Sequence, residues 1–182
     1  QIDWEAATNL TLTAGFRYTW DAKDLNFITF AGPVGAPGGE VVPTVGLLDA
    51  DPASFAVDAP IVTQDRFNRP TWRLALAYKA NPDTLIYASY NRGFRSGGRN
   101  SGALTAPIEF SRVDAERNDA FEVGVKSDLP NRQLRFTTAA FYYDYKDLQV
   151  FTLEPGTPVP FQRLQNADAR IYGAEAEATA QP

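Results

Sequence analysis

The chain of 182 residues contains no cysteine, no histidine and no methionine. Disulfides, thiolate or imidazole zinc sites and histidine-based acid–base catalysis are therefore excluded. No apolar run approaches the ~20 consecutive residues that a membrane-spanning helix needs. Basic residues are not in excess, since 17 Lys and Arg stand against 22 Asp and Glu and leave a net charge of −5. Nucleic acid is therefore not expected as a partner, and nothing in the composition indicates an enzyme or a bound cofactor.

What the chain does contain is aromatic residues, at 13% of the total, and a regular alternation between Leu10 and Asp21. Even positions in this run are apolar or aromatic, and odd positions are small, polar or charged. Successive side chains of a β-strand point to opposite faces, so the run predicts a strand with one apolar and one polar wall. An apolar wall of about ten residues that ends in Tyr18 and Trp20 is typical of a strand that crosses a bilayer in a barrel.

The rest of the chain divides into similar segments. Alternation predicts about seven strands, at residues 1–5, 10–30, 67–79, 84–94, 117–127, 133–145 or beyond, and 169–180. Three connections are tight (6–9, 81–83 and 128–131) and three are long (31–65, 95–115 and 153–167). Strict alternation puts all tight turns at one end, as in outer-membrane barrels with short periplasmic turns and long extracellular loops. The fold class predicted is therefore all-β, with residues 1–182 forming part of one antiparallel transmembrane β-barrel domain.

The alternation also predicts which side chains face lipid and which face the barrel lumen. The predicted lipid-facing set on the second strand is Leu10, Leu12, Ala14, Phe16, Tyr18 and Trp20. The predicted lumen-facing set is Arg17, Arg73, Glu122, Lys126, Glu175 and Glu177. Further residues assigned to lipid on the fourth and sixth strands are Ile86, Ala88, Tyr90, Leu134, Phe136, Thr138, Ala140 and Tyr142. A soluble β-sandwich shares this period and stays open at this point, although it would direct the charged set to bulk water.

Motifs that carry chemistry are weak. The Gly-rich segment 93–98 lacks the Lys-Ser/Thr pair and the following helix that a phosphate loop needs. The acidic residues Asp114, Glu116 and Asp119 could bind a cation, but a solvated entry to a strand explains them equally well. Glu175 and Glu177 share a face, yet no histidine or nucleophile accompanies them, and we interpret them as lumen charges.

Five segments together resemble one family. Residues 84–98, TLIYASYNRGFRSGG, are similar to the signature YASYSRGFRSGG of TonB-dependent outer-membrane receptors. Residues 10–24, 121–127, 139–149 and 173–177 resemble further segments of that family in the same order. The resemblance implies a 22-stranded barrel with an N-terminal plug domain. It implies that this chain is an internal segment of the barrel, with the plug and the remaining strands outside it.

The resemblance also implies a function. It points to active import of a scarce ligand, most often an iron–siderophore complex, across the bacterial outer membrane. The implied partners are outer-membrane lipid, the receptor's own plug domain and remaining strands, TonB, and the imported ligand. Candidate residues of the ligand vestibule are Phe94, Arg95, Arg99 and Arg112, because arginine suits anionic chelates. These arginines could equally be solvated or bind lipopolysaccharide phosphate. A passive porin-like channel and a soluble carbohydrate-binding sandwich are the alternatives.

Overall fold

A computed structural model describes residues 1–27, 61–100, 111–129, 134–155 and 161–180. These residues form a seven-stranded antiparallel sheet and one two-stranded sheet. The strands are β1 (Ile2–Ala7), β2 (Leu10–Phe27), β3 (Ile61–Asn81), β4 (Thr84–Arg95), β5 (Gly98–Arg99), β6 (Arg112–Val113), β7 (Glu116–Asp128), β8 (Leu134–Glu154) and β9 (Phe161–Ala180). No helix in this part of the chain is long and apolar enough to cross a membrane.

The large sheet is a meander with the order β1-β2-β3-β4-β7-β8-β9. Its turns lie side by side at one end. The backbone N–H of Lys79 donates to the carbonyl of Asn9 at 2.8 Å, and the N–H of Asp128 donates to the carbonyl of Asp83 at 2.8 Å. We call this the turn end and the opposite end the loop end. The seven predicted strands and the placement of the turns 6–9 and 81–83 at one end are thereby confirmed, while residues 130 and 131 of the third predicted turn lie outside the described residues.

Two strands are longer at the loop end than the alternation predicts, and β8, predicted for residues 133–145 or beyond, does continue. β3 begins at Ile61 instead of about Phe67, β9 begins at Phe161 instead of Ala169, and β8 continues to Glu154. The predicted loops 31–65 and 153–167 are therefore too long at the ends that border these strands. Residues 162–168, QRLQNAD, are polar on both faces, so the sequence of this part of β9 shows no alternation between apolar and polar residues. The rest of these loops, and the predicted end of the second strand beyond Phe27, lie outside the described residues.

A β-bulge interrupts β8 next to β9. The register changes between Tyr145 and Leu148, and Asp147 has a φ of 56°. Such a backbone angle is uncommon for a residue other than glycine, although Asp tolerates it better than most. Side chains of β9 satisfy the backbone there, because Asp168 accepts from the N–H of Asp147 at 3.2 Å and Asn166 donates to its carbonyl at 2.7 Å.

The sheet has little buried core. Among the described residues the buried apolar side chains are Phe67, Val113 and Ala115, all near the loop end. Many large apolar side chains remain exposed on one face of a single layer. A soluble protein of this size would cover such a face with a second layer. The exposed apolar face therefore requires a contact other than water.

Candidate functional site

One face of the sheet is apolar, and we call it the apolar face. The register puts Leu10, Leu12, Ala14 and Phe16 of β2 beside Tyr78, Leu76, Leu74 and Trp72 of β3, and the same face continues across β4, β7, β8 and β9. Its large side chains are strongly exposed: Phe16 by 70%, Trp20 by 75% and Tyr172 by 77%. All six residues of β2 predicted to face lipid lie on this face, and so do the eight assigned to lipid on β4 and β8. Water is an unfavourable solvent for a contiguous apolar surface of this extent.

A row of aromatic rings crosses the apolar face towards the loop end. Tyr90, Phe121, Tyr142 and Tyr172 are register neighbours on β4, β7, β8 and β9. The rings of Tyr90 and Phe121 stack with centroids 4.5 Å apart, and those of Phe121 and Tyr142 lie 6.5 Å apart. We call this set the aromatic row. Amphipathic rings concentrate at the level of lipid headgroups in membrane barrels.

Charged side chains lie next to the aromatic row, on its loop-end side. Arg92 Nε lies 2.6 Å from Asp119 Oδ1, and its guanidinium carbon lies 4.2 Å from the ring centre of Trp72. Arg170 Nε lies 3.4 Å from Asp144 Oδ1. The three acids of the predicted cluster lie apart. Asp119 pairs with Arg92, as described. Glu116 accepts from the N–H of Gln149 at 3.1 Å, and Asp114 pairs with Arg112 at 3.4 Å. The three acids thus have separate partners.

The opposite face is polar, and we call it the polar face. The register brings all six residues predicted to face the lumen to this face: Arg17, Arg73, Glu122, Lys126, Glu175 and Glu177. Arg73 donates to Asn91 Oδ1 at 3.0 Å, and the Tyr87 hydroxyl donates to Glu122 Oε1 at 2.8 Å. Sequence reasoning missed Tyr87 and Asn91, because the alternation in β4 is obscured by aromatics on both faces.

Two aromatic rings lie over glycines of the neighbouring strand on the polar face. A Cβ on Gly124 would lie 2.5 Å from the Tyr87 ring, and one on Gly173 would lie 2.8 Å from the Phe141 ring. Glycine therefore makes room for a ring to cross the next strand and pack against its backbone. A glycine directly opposite an aromatic residue on a polar face is the sequence signal that could have identified these rings.

The predicted vestibule residues are not equivalent. Phe94 lies on the face of Tyr90 and Arg92, opposite to that of Arg95. Arg95 is 63% exposed and lies 4.0 Å from Glu116. Arg99 and Arg112 converge on the buried carboxylate of Asp65, with nitrogen–oxygen distances of 2.7 and 3.8 Å. The structure therefore brings Arg99 and Arg112 together and separates Phe94 from Arg95.

The β5–β6 pair forms a compact unit at the loop end that sequence reasoning did not anticipate. Gly97 lies against the carbonyl of Val113 and the ring of Phe67, with no room for a Cβ. Lys23 Nζ donates to the carbonyl of Gly97 at 2.6 Å. The carboxamide of Asn100 accepts from the N–H of Leu164 at 2.7 Å and donates to its carbonyl at 2.8 Å, as a neighbouring strand would. These bonds join the base of the 95–115 connection to both β2 and β9.

The same arrangement of strands occurs in known proteins. Residues 1–181 match the family model described as TonB dependent receptor-like, beta-barrel. Two solved structures share the fold: the copper transporter OprC, at a TM-score of 0.66 and 17% identity, covering 98% of this chain and 26% of OprC; and the ferric yersiniabactin uptake receptor FyuA from Yersinia pestis, at 0.61 and 19%, covering 97% of this chain and 22% of FyuA.

A curated relative supports the match. The metal-pseudopaline receptor CntO of Pseudomonas aeruginosa is 32% identical over 88 residues, which is 48% of this chain and 11% of CntO. The chain thus spans about a tenth of the length of the curated relative it matches. It belongs to the TonB-dependent receptor β-barrel family, whose members reside in the outer membrane of Gram-negative bacteria.

Proposed function

We propose that this chain is an internal segment of the barrel of a TonB-dependent receptor that imports a scarce metal chelate, with an iron–siderophore complex as the first candidate. The family match over residues 1–181 is the observation that carries the proposal. In this reading the chain acts in transport and not as an enzyme. Its partners are outer-membrane lipid, the other strands, a plug domain that TonB engages, and the chelate.

The apolar face contacts lipid in this proposal. The aromatic residues nearest the loop end mark the border of this face, and the border runs at an angle to the register rows of the sheet, which supports the assignment. Phe16 and Arg170 share one register row that runs through Trp72, Arg92, Asp119 and Asp144. Trp20 lies four residues beyond Phe16 towards the loop end, whereas Tyr172 lies two residues short of Arg170. From Trp20 on β2 to Tyr172 on β9 the aromatic border therefore shifts by six residues over five strand steps, and Phe151 of β8 lies beyond this border.

Strand tilt accounts for this shift. Strands of membrane barrels are inclined by ~40° and lie ~4.8 Å apart, so a horizontal membrane border moves along the strands by roughly 4 Å per step. Over five steps that is roughly 20 Å, or about six residues at ~3.3 Å each. A horizontal bilayer across tilted strands thus explains why aromatic residues end at different register positions.

The ligand class rests on the relatives and on the loop end. The names of the relatives above include a metal-pseudopaline receptor, a copper transporter and a ferric yersiniabactin receptor. We propose that Arg95, Arg99 and Arg112 form part of the vestibule for such a chelate. Arg95 is the most exposed of the three and is available for direct contact, while Asp65 orients Arg99 and Arg112. Phe94 belongs to the headgroup level of the apolar face instead.

Growth of a deletion strain tests the function. The strain lacks the complete receptor and is supplied with ferric siderophores, copper, cobalamin or glycans as the limiting nutrient. We expect loss of growth on one ferric siderophore and rescue by the complete receptor only when TonB is present. Rescue without TonB would indicate a passive porin-like channel, and a growth defect on copper, cobalamin or glycans alone would reject the siderophore.

A further inference from the structure

Asn100, directly after β5, makes the contacts with β9 that a neighbouring backbone normally makes. The residue is buried, with 9% of its surface exposed. Its Oδ1 accepts from the N–H of Leu164 at 2.7 Å, and its Nδ2 donates to the Leu164 carbonyl at 2.8 Å. Its own N–H donates to the carbonyl of Ser111 at 3.0 Å, and its Nδ2 donates to Ser111 Oγ at 3.1 Å. Asn100 is thus bonded both to the strand after its own connection and to β9.

The backbone groups of Leu164 that Asn100 contacts point away from β8. Leu164 is the register partner of Phe151 on β8, yet its N–H donates to Asn100. Antiparallel partners alternate between pairs that exchange two backbone hydrogen bonds and pairs whose N–H and C=O groups point to the outer edges. Phe151 and Leu164 form a pair of the second kind, so Asn100 lies at the edge of β9 that is opposite to β8. The extra residue of the bulge lies in β8, and even-numbered residues of β9 therefore keep this direction.

A second asparagine holds the two segments together from the side of β9. Asn166 Oδ1 accepts from the N–H of Asp114 at 2.8 Å, and its Nδ2 donates to the Asp114 carbonyl at 3.1 Å. Gln149 Nε2 of β8 donates to the carbonyls of Ser96 and Asp114, at 2.9 and 3.2 Å. Each asparagine thus satisfies the N–H and C=O of one residue in the opposite segment. These bonds position Asn100 without any strand beyond β9.

We propose that Asn100 takes the place of the next barrel strand at Leu164. β9 is an outer strand of the described sheet, and in a closed barrel a further strand pairs with its free edge. That strand cannot bond to Leu164 while the carboxamide occupies both of its outward groups, so its pairing with β9 extends no farther towards the loop end than Asn166. Covering an edge in this way also prevents its pairing with other chains. The inference rests on the proposed function, because it takes the chain as an internal segment with a strand after β9.

Hydrogen exchange of backbone amides, resolved to single residues in the complete receptor, tests the proposal. The Leu164 amide should exchange slowly in the wild-type receptor. N100A should accelerate its exchange by roughly tenfold, because the acceptor is removed. The amides of Ala174 and Ala176 mark the rest of β9; Ala174 and Ala176 have even numbers, so these amides point to the edge that the next strand covers and should not change. N91A is the matched control, since it removes a carboxamide that bonds on the polar face between β3 and β4.

The variant N100D tests the pairing of donor and acceptor within one folded protein. Its carboxylate can accept from the Leu164 N–H but cannot donate to the Leu164 carbonyl. Two acceptors then face each other at neutral pH, and we expect the protection of the Leu164 amide to fall by roughly tenfold. At about pH 4 and below, the neutral acid has both a donor and an acceptor, so protection should return. A reversal within one variant keeps the test valid even if N100A folds poorly.

The outcomes separate this inference from the proposed function. Fast exchange of Leu164 in the wild-type receptor would show that Asn100 does not hold this edge. Slow exchange that persists in N100A would mean that a strand covers Leu164, and an equal acceleration in N91A would make the effect unspecific; either result overturns the proposal. Protection that fails to return in N100D at low pH would also overturn it. Fast exchange of Ala174 and Ala176 in the wild-type receptor is a different failure, because no strand would then follow β9 and the chain would not be an internal barrel segment.

Discussion

At the scale of single residues, Gly124 determines where the Tyr87 side chain lies, because a glycine leaves space for the ring. The ring of Tyr87 crosses from β4 over Gly124 of β7, which lets its hydroxyl reach Glu122 at 2.8 Å. A Cβ at residue 124 would also lie 2.6 Å from the backbone carbonyl of Thr138, which cannot move as a side chain can. Gly15 differs, because its nearest neighbours to a Cβ are 3.8 Å away.

Gly124→Ala and Gly15→Ala should therefore have different effects on stability. We expect Gly124→Ala to lower the free energy of unfolding of the complete receptor by about 1–3 kcal/mol through overpacking. Gly15→Ala, with ordinary contact distances, should change it by no more than about 0.5 kcal/mol. Refolding titrations in lipid measure both values. Similar costs for the two variants would contradict the packing of Tyr87 against Gly124.

The two faces of β2 predict that arginine substitutions at neighbouring residues differ in their cost to stability. Ala14 lies on the apolar face and Thr13 on the polar face, where its hydroxyl donates to Asp3 at 2.6 Å. Ala14→Arg should cost about 2–4 kcal/mol if residue 14 lies near the bilayer midplane. Thr13→Arg should cost much less, because Asp3 can pair with the new guanidinium. Equal costs in the same refolding titration would rule out the assignment of faces.

Some site residues could be read from the sequence and others could not. Arg17, Arg73 and Glu122 alternate cleanly with apolar neighbours, so a period of two was enough to place them on one face. The link from Asp65 to Arg99 joins residues 34 positions apart and depends on how the 95–115 connection folds. No local pattern encodes that link, and the sequence therefore predicts exposed vestibule arginines where the structure has a shared carboxylate.

At the scale of elements, β8 illustrates the limits of alternation. Its apolar face uses even positions up to Tyr142, but the bulge at Asp147 moves Phe151 and Leu153 to that side of the strand. A single inserted residue reverses the phase of every later side chain. Reading the loop-end half of β8 and β9 from the sequence therefore fails, even though the strands continue to Glu154 and from Phe161.

The bulge carries a pH-dependent contact. Lys146 donates to Asp168 at 2.7 Å, and this bond, together with the backbone N–H of Asp147, lowers the pKa of Asp168 below its ordinary value of 3.8. A carboxyl with a depressed pKa in the folded state adds stability above its unfolded pKa and loses it as pH falls through the folded value. The contact is thus intact at neutral pH and weakens in acid.

Lys146→Gln should raise the pKa of Asp168 towards 3.8, because the largest favourable contact of the carboxylate is removed. Arg135→Gln, which removes a cation at the turn end paired with Asp128, is the control and should leave the pKa of Asp168 unchanged. Carboxyl carbon NMR of Asp168 during an acid titration measures the pKa. A pKa that Lys146→Gln does not move would show that the ion pair is absent in solution.

At the scale of the whole molecule, the meander gives the sheet a direction. The tight turns share one end and the long connections share the other, as the alternation of connection lengths predicts. Membership of an outer-membrane family predicts an orientation for the chain, with the loop end towards the outside. What the sequence could not supply is the slope of the apolar border, because strand register is set by pairing between distant residues.

This orientation predicts how the receptor reacts with a membrane-impermeant thiol reagent. The chain has no cysteine, so a single introduced thiol is a clean reporter within it. Gln64→Cys, at the loop end of β3, should label from outside intact cells. Asn81→Cys, at the turn end of the same strand, should label only after the outer membrane is opened. Labelling with the reverse pattern would invert the topology.

The assignment of faces rests most directly on β2, whose two faces are expected to contact different media. Its direct test is a nitroxide scan of residues 10–21 in the complete receptor, one introduced cysteine at a time, in lipid bilayers. Relaxation by oxygen, which concentrates in lipid, should peak at the even positions from Leu10 to Trp20, and relaxation by a water-soluble nickel complex should peak at the odd positions. Accessibility without a period of two, or with the nickel complex favouring even positions, would contradict the account.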